Sequence, residues 1–436
     1  MNTGRVVAID NILVEVEWSN NMPVLSQFAL LTAKNTHMTQ LMVVEQHSTR
    51  VTCLSLGTQD EIGLGEVVEA STNTISFCSG KSALGGVWDC QHNNLMSTED
   101  HNKTQLFPLE AYRHTGKSGY GASADLLETG IKVVDFLAPF VRGRKIGIVG
   151  GSGVGKTVLT TELMHNVCKR KLGVSIFAGI GERIREAHEL YMTLEETKLM
   201  QSTVMYLGQM DETAVRRWLV GQIAAASARH FRDQEKTDVL FFVDNIYRFL
   251  QAGNELAMLR GERLSEGGYQ PSLFTDLSRF QAGLDSNENG SITSVESIYI
   301  PADDLSDPAV VEIYQQLDSV IVLSREIMEQ GILPAVDLVN TSSSLLSPEI
   351  VGEKHYFLAM EAQKVLQKYQ DLKGIVTIIG EAELSVQDRQ AYSKAKRLIE
   401  LFQQPLFVTQ PLTGKQGQYV GREETLAAVE EILTIQ

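Results

Sequence analysis

The pattern of apolar and polar positions divides the 436-residue chain into three stretches. From Gly4 to about Glu69, short runs of apolar and β-branched residues alternate with Asn, Gly, Asp and Pro. These runs are VVAID, ILVEVEW, FALLTA, LMVVEQ and RVTCLSL. Strand-length runs separated by turn residues are typical of a small antiparallel barrel. We therefore predict an N-terminal antiparallel β-barrel over residues 1–72.

The middle of the chain has a different pattern. Residues from about 70 to 123 contain clusters of Gly, Ser, His and Asn without a long periodic segment, which indicates a connector with a few strands. Between Ala124 and about Val351, helical stretches alternate with the apolar runs KIGIV, VSIFA, TVMYL, VLFFV, SIYI and VIVL. This alternation predicts a parallel sheet covered by helices on both faces. We assign residues 73–351 to a central α/β domain.

After Gly352 the strand signal fades. The segments HYFLAMEAQKVLQKYQ and RQAYSKAKRLIELFQ have helical apolar spacing with charged outer faces. They predict a C-terminal α-helical domain over residues 352–436. The expected fold class is therefore multidomain, with a barrel, an α/β domain and a helical domain in that order.

A phosphate-loop motif, GGSGVGKT, occupies Gly150–Thr157. The apolar run Lys145–Val149 precedes it and helical spacing over Val158–Lys171 follows it, which is the strand-to-helix context that the motif needs. Glycines let backbone N–H groups converge on phosphate oxygens, and the helix N-terminus adds its positive dipole end. An unliganded glycine turn is the weaker interpretation. The candidate nucleotide-binding residues here are Gly150, Gly151, Ser152, Gly153, Val154, Gly155, Lys156, Thr157 and Val158.

Within this loop, Lys156 is expected to neutralise the outer phosphates, and the Thr157 hydroxyl to ligate magnesium. A second metal candidate is Asp244, which ends the run VLFFV and should emerge at the carboxyl edge of the sheet. A strand-end Asp also caps helices, and that interpretation has about equal weight for Asp244 taken alone. The phosphate loop upstream favours a role in holding magnesium through water.

The run Gly179–Glu186, GIGERIRE, follows the strand candidate VSIFA. Hydrolysis of a triphosphate needs a group that orients water in line with the terminal phosphate, and we expect Glu182 to do this from a loop opposite the phosphate loop. Arg183 and Arg248 are candidates for binding phosphate or supporting the carboxylates, and Glu186 for joining the magnesium's water shell. From the pattern alone, a solvated helix start with internal ion pairs is the likelier alternative.

Composition narrows the choice of partners. A net charge of −16 argues against a chain that grips nucleic-acid backbone. The four cysteines form no CxxC pair, so neither a zinc site nor a disulfide framework is indicated, and we expect a reducing compartment. The chain has no signal-peptide pattern and no run approaching 18 apolar residues. We expect any membrane association to go through partner subunits.

Six motifs in fixed order resemble the catalytic β subunit of rotary F-type ATP synthases. They are GGSGVGKT, GIGERIRE, LGQM, FRDQEKTDVLFFVDNIYRF, GYQPSL and SITSVESIYIPADDLSDPA. The resemblance covers most of the chain and is densest between Thr129 and Pro308. It implies a P-loop (RecA-like) domain that binds Mg²⁺ with ATP or ADP. It also implies the roles of phosphate and metal contact for Lys156, Thr157, Arg183, Glu186, Asp244 and Arg248, and of acting on water for Glu182.

The resemblance also implies partners. Catalytic subunits of this family alternate with non-catalytic α-type subunits, which supply an arginine finger in trans, around a central γ-type rotor. The heterohexamer is coupled to a membrane sector that carries protons or sodium, so we expect a peripheral location on the cytoplasmic face of a membrane and no nucleic-acid partner. Two alternatives are a nucleotide-binding structural subunit without hydrolysis, and a homohexameric export ATPase or RNA translocase. Glu182 and the phosphate loop count against the first.

The chain departs from the family at three places. Leu333 stands where the family has an adenine-stacking Tyr, and Leu406 and Leu412 stand where Phe is expected, with Phe407 adjacent. For each aromatic stacking contact that is lost, the binding free energy of the base weakens by about 1 kcal/mol. Ser344 stands where the family and its homohexameric relatives carry Arg, which predicts an alternating hetero-oligomer and counts against the second alternative. The rotor-facing acidic loop, Glu381–Asp388, carries fewer charges than usual.

Overall fold

The computed structural model describes residues 3–18, 25, 28–34, 38–58, 61–96, 104–112, 125–168, 173–265, 267–301, 304 and 306–434. Its strands are β1 (Thr3–Asp10), β2 (Leu13–Glu17), β3 (Ala29–Ala33), β4 (Gln40–Gln46), β5 (Arg50–Ser55), β6 (Val67–Thr74), β7 (Ser76–Cys78), β8 (Val87–Trp88), β9 (Leu106–Pro108), β10 (Leu126–Leu127), β11 (Phe140–Val141), β12 (Lys145–Gly150), β13 (Val174–Glu182), β14 (Thr203–Gln209), β15 (Val239–Asp244), β16 (Ile292–Tyr299), β17 (Ser319–Val322) and β18 (Ser342–Ser343).

The helices are α1 (Lys132–Leu137), α2 (Lys156–Cys168), α3 (Ile184–Glu196), α4 (Ala214–Asp233), α5 (Ile246–Leu259), α6 (Leu273–Gly283), α7 (Pro308–Gln315), α8 (Arg325–Glu329), α9 (Pro348–Val351), α10 (Glu353–Ile379), α11 (Val386–Phe402), α12 (Gln410–Thr413) and α13 (Arg422–Thr434). Within the described ranges, none of these helices combines the length and apolar character needed to cross a bilayer.

Backbone contacts group the chain into two compact units. The first contains residues 1–119 and 174–290, and the second contains residues 120–173 and 291–436. Both units draw on the stretch assigned to the central domain. The boundaries at 72/73 and 351/352 stay predictions.

The first unit begins with the predicted barrel, which is confirmed as a closed antiparallel barrel in the order β1-β2-β5-β4-β3-β6. Alternate residues of β2 point inward, and Val14, Val16, Leu31, Leu41 and Val51 are almost fully buried in its core. Strand β6 closes the barrel by pairing with both β1 and β3. The sequence did not reveal this strand, because it continues through the polar residues STNT.

The first unit also holds four parallel strands in the order β8-β14-β13-β15. Every residue of β13 and β15 is buried, which explains their near-continuous apolar sequences. In the register, Glu182 at the end of β13 pairs with Gln209 of β14, and Gly179 of β13 pairs with Asp244 at the end of β15. Acidic side chains therefore meet at the carboxyl edge of these strands.

In the second unit the order is β16-β12-β17-β18, with the first three strands parallel and β18 antiparallel. Gly150 at the end of β12 pairs with Tyr299 of β16, and Val149 pairs with Val322 of β17. The predicted C-terminal helical domain is confirmed by α10, α11 and α13, which contact one another. Leu372, Leu384 and Tyr392 form part of its core.

Candidate functional site

The phosphate loop lies between β12 and α2, as the sequence predicts. Helix α2 begins at Lys156, two residues earlier than expected, and is described as far as Cys168. Gly153 and Gly155 have φ of 74° and 89°, values that favour glycine. A Cβ on Gly150 would lie 2.7 Å from Val154 Cγ2. The glycines are therefore required by the path of the loop.

Lys156 points back over this loop. Its Nζ donates hydrogen bonds to the carbonyl oxygens of Gly150, at 2.8 Å, and Gly151. It also lies 5.5 Å from the centre of the Tyr299 ring. The ammonium group is thus held above the backbone that would cradle phosphates.

Two residues beside the loop escaped the sequence analysis. Tyr299 ends β16, and Arg325 opens α8 just after β17 and donates from Nη2 to the Ser152 carbonyl oxygen at 3.2 Å. Tyr299 is the last residue of β16 and Arg325 lies three residues beyond β17, and the carboxyl ends of parallel strands share one edge. A polar or aromatic residue near the end of an apolar run is a weak signal, since the sequence does not show which strands are neighbours.

In the first unit the predicted acidic and basic residues come together. Glu182 and Asp244 are 7% and 5% exposed. The prediction that Glu182 lies on a loop was wrong: pairing with β14 extends β13, and Glu182 is its last residue. The Glu182 carboxylate accepts a hydrogen bond from the Arg183 backbone N–H at 3.0 Å. Its position is therefore fixed by the sheet and by the start of α3.

Burial and then the neighbouring Asp244 carboxylate raise the pKa of Glu182 well above the ordinary carboxyl range, with Glu186 adding to the effect and Arg248 opposing it. Glu182 lines a mainly apolar cavity of about 220 Å³, with Met96, Ile184 and Leu207 also in its wall. A raised pKa of a buried carboxyl is typical of groups that transfer or orient protons.

Arg248 is half-buried, and in the described part of the chain its Nη1 is buried without a hydrogen-bond partner. A buried guanidinium nitrogen is costly to leave unpaired, and phosphate oxygens are suitable acceptors. Arg248 also approaches the position of a Cβ on Gly181 to 2.9 Å, so the glycine makes room for it. This is the strongest local indication of an anion beside the carboxylates.

The helix-cap interpretation of Asp244 is not what the structure shows. The N-cap of α5 is Asn245, whose side-chain oxygen accepts a hydrogen bond from the Arg248 backbone N–H at 2.9 Å.

The alternative interpretation of the run after Glu182, a helix start with internal ion pairs, holds in part. Arg183 is exposed and lies 3.8 Å from Glu186, in the first turn of α3. An ion pair at this distance contributes little to stability, and the Glu186 side chain is also hydrogen-bonded to Glu182.

The base-contacting candidates lie in the second unit. Leu333 is partly buried, and its carbonyl oxygen accepts from Gln404 N at 2.9 Å. Leu406 is 1% exposed and packs into the protein. The side chain of Leu412 lies outside the described residues, although its backbone belongs to α12. Phe407, adjacent to Leu406, has its ring 5.1 Å from that of His165.

The chain is 37% identical to ATP synthase subunit beta 1 of Pseudoalteromonas atlantica over 443 aligned positions, which cover 99% of this chain and 80% of that relative. The chain belongs to the ATP synthase alpha/beta family. The family model described as "ATP synthase alpha/beta family, nucleotide-binding domain" matches residues 130–344. A model described as "C-terminal domain of V and A type ATP synthase" matches residues 346–416. The resemblance to β-type subunits is thereby confirmed.

In this member of the ATP synthase family, Ser344 lies just after β18. Its backbone N–H and its hydroxyl both donate to the carbonyl oxygen of Asp318, at 2.9 and 3.0 Å, and its side chain is exposed. In the loop Glu381–Asp388, Glu381 pairs with Lys396 and Asp388 with Lys368. Much of the remaining acidic charge there is neutralised within the chain.

The acidic residues fit a magnesium ion that arrives with phosphates. Among the described residues, no group of three or more His, Cys, Asp or Glu side chains is arranged to hold a metal. Mg²⁺ is usually held by one or two carboxylates together with substrate phosphates and water. The Asp244 carboxylate repels that of Glu182 when both are ionised, and a nearby divalent cation would relieve that repulsion.

Proposed function

We propose that this chain is the catalytic β subunit of a rotary F-type ATPase, which interconverts Mg-ATP with ADP and phosphate. The observation that supports this proposal most directly is the group formed by Glu182, Asp244 and Arg248. Its two carboxylates are buried, and within the described residues one guanidinium nitrogen has no hydrogen-bond partner. A purely structural nucleotide site has no need for a buried carboxyl group with a raised pKa.

Each site residue has a role in this proposal. The backbone of Gly150–Val158 and Lys156 bind the phosphates, and Thr157, Glu186 and Asp244 hold magnesium directly or through its water. Magnesium would neutralise charge that develops on the phosphates. Glu182 holds the attacking water in line, and Arg183 and Arg248 bind the terminal phosphate. These charged and polar side chains stabilise the transition state most when the protein already holds them in position before substrate binds.

Assignment to the F-type class rests on the extent of the similarity. The match to a protein named ATP synthase subunit beta 1 extends over 99% of the chain. The V and A type model, which describes a C-terminal domain, matches residues 346–416. Coupling through a γ-type rotor to a proton- or sodium-carrying membrane sector belongs to this proposal. So does a peripheral position on the cytoplasmic face of the membrane.

The proposed assembly is an alternating heterohexamer. Ser344 cannot present a positive charge to a neighbouring copy, so an α-type subunit supplies the arginine finger in trans. Leu333, Leu406 and Leu412 give the base an aliphatic surface in place of aromatic rings. The site therefore selects among bases less strictly than an aromatic slot does.

The deciding experiment is Mg-ATP hydrolysis by this chain co-expressed with the α-type and γ-type subunits of its own organism. Glu182→Gln is assayed in parallel, with Glu189→Gln on the exposed face of α3 as the matched control. We expect turnover in the wild type and the control, and about a hundredfold less in Glu182→Gln. An assembled wild-type complex that binds ATP without turnover would instead make the chain a structural nucleotide-holding subunit.

A further inference from the structure

A buried carboxylate joins the phosphate-loop helix to the segment that carries two base-contacting candidates. Glu162 lies on α2, the helix that begins at Lys156, and is fully buried. Its Oε2 accepts a hydrogen bond from the backbone N–H of Val408 at 2.9 Å. Val408 follows Leu406 and Phe407 directly, so this single bond ties their backbone to the helix that carries the phosphate-binding lysine.

The other oxygen of Glu162 is also engaged. Oε1 accepts from Asn166 Nδ2 at 3.4 Å, and the same amide donates to the Thr129 carbonyl oxygen at 3.0 Å. Both oxygens therefore accept from neutral donors. A buried acceptor with partners on both oxygens has little freedom to move, because breaking either bond would leave a buried polar group unpaired. The distance between α2 and the Val408 backbone is therefore fixed by this side chain.

The tethered segment is held in place from other directions too. Gln404 donates from its backbone N–H to the Leu333 carbonyl oxygen at 2.9 Å, and its Nε2 donates to Gly130 O at 2.7 Å. A Cβ on Gly417 would lie 2.5 Å from Phe407 Cα, so the chain passes closely over this residue. Glu162 supplies a hydrogen bond from α2 to this frame, next to the ring of His165 of α2, whose centre lies 5.1 Å from that of Phe407.

We propose that Glu162 is a positioning residue for base recognition. It sets the separation between the phosphate-binding loop and the segment of Leu406 and Phe407, and thereby favours triphosphates that carry a base over triphosphates that do not. The inference rests on the proposed function, since it takes the ligand to be a nucleoside triphosphate. It adds a residue that makes no contact with the ligand and acts through the Val408 backbone.

The test compares two probes, Mg-ATP and Mg-tripolyphosphate, in direct binding to the full chain. Glu162→Met removes the acceptor at similar volume, and Glu162→Gln keeps one acceptor oxygen. Loss of a hydrogen bond to a charged group corresponds to about a tenfold change in Kd. We expect Glu162→Met to weaken Mg-ATP by about that factor and to leave Mg-tripolyphosphate unchanged. In Glu162→Gln and in the exposed control Glu361→Met, the ratio of the Kd for Mg-ATP to the Kd for Mg-tripolyphosphate should stay at the wild-type value.

Equal weakening of both probes in Glu162→Met, or no change in either, would overturn the inference. Wild-type protein that binds neither probe would overturn the proposed function itself, a result distinct from any effect of the variants. If Glu162→Met does not fold, Glu162→Asp replaces it in the test. The Asp side chain keeps the charge but is too short to reach Val408, so Mg-ATP should again bind more weakly while Mg-tripolyphosphate binding is unchanged. Hydrogen exchange of the Val408 amide should accelerate in either variant while the α2 amides remain protected.

Discussion

Asp244 lies beside Glu182 at the carboxyl edge of adjacent parallel strands, with Gly179 of β13 as the register partner of Asp244. Both carboxylates are nearly inaccessible to water. Burial first, and then this neighbouring charge, raise the pKa of Glu182. The pairing of β13 with β15 thus places one acidic group where it changes the chemistry of another.

The first prediction separates binding from turnover. Glu182→Gln keeps the shape of the side chain but removes its ability to polarise water, so hydrolysis should fall by about a hundredfold while the Kd for Mg-ATP stays near wild type. Lys156→Ala removes the charge that we propose neutralises the outer phosphates, and it should weaken Mg-ATP binding. Binding titrations and steady-state assays on both variants provide the check. Equal loss of affinity in the two would contradict the assigned roles.

The second prediction concerns Gly181, directly before Glu182. Its φ is 65°, and an added Cβ would meet Arg248 Cδ at 2.9 Å. Gly181→Ala therefore combines backbone strain with displacement of Arg248, and we expect a loss of about 1–3 kcal/mol in unfolding free energy together with lower turnover.

The matched control is Gly331→Ala, where φ is 74° but the space around an added Cβ is open. This variant carries the backbone strain without the clash and should lose about 1 kcal/mol with turnover unchanged. Urea unfolding and hydrolysis assays on both proteins make the comparison. If turnover is equal in the two variants, the clash with Arg248 has no catalytic consequence.

The local features of the site are the ones that the sequence predicts best. The loop Gly150–Thr157, the strand before it and the helix after it are adjacent in the chain, and each has its own pattern. Asp244 likewise follows from the apolar run that it ends. The position of Glu182 was assigned wrongly, because GIGE has no apolar periodicity and β13 is extended there only by pairing with β14.

Contacts between distant residues lie beyond such patterns. The hydrogen bond from Arg325 to Ser152 joins residues 173 positions apart in the sequence, and that from Val408 to Glu162 joins residues 246 positions apart. These contacts depend on strand order and on the packing of the segment after α11, which no local pattern reveals. Strand β6 was missed for a related reason, since its polar half is a strand only because the barrel closes there.

The third prediction tests the aliphatic base surface. Leu333→Tyr restores the aromatic residue of the family at a partly buried position whose backbone is already fixed by Gln404. Stacking worth about 1 kcal/mol corresponds to a roughly fivefold lower Kd for Mg-ATP. Binding titrations with ATP, GTP and tripolyphosphate are the measurement. Tripolyphosphate has no base to stack, so a gain for it as well would show that the effect arises elsewhere.

The fourth prediction is a pH dependence of stability. Burial lowers the pKa of His355, whose Nε2 bonds the Phe136 carbonyl oxygen at 2.8 Å and whose ring stacks on that of Phe136. A histidine in the unfolded chain titrates near about 6.5. Below that pH the unfolded state binds the extra proton, so stability should be lost as the pH falls from about 6.5 towards the lower folded pKa.

The check is the urea midpoint at neutral and mildly acidic pH. His355→Gln keeps an N–H donor for Phe136 but does not titrate, so it should lose less stability than wild type on acidification. His47→Gln changes an exposed histidine and serves as the control. The role of His355 is refuted if His355→Gln and wild type are equally sensitive to acid.

The fifth prediction concerns assembly. Ser344 is exposed, with its hydroxyl and backbone N–H bound to Asp318, and it offers no positive charge to a neighbouring copy. Loss of an arginine finger lowers phosphoryl-transfer rates by about a thousandfold or more. The isolated chain should therefore bind Mg-ATP but hydrolyse it at least that much more slowly than the complex with its α-type partner. Measuring both preparations at equal active-site concentration decides the matter, because full hydrolysis by the chain alone would mean that its own residues complete the site.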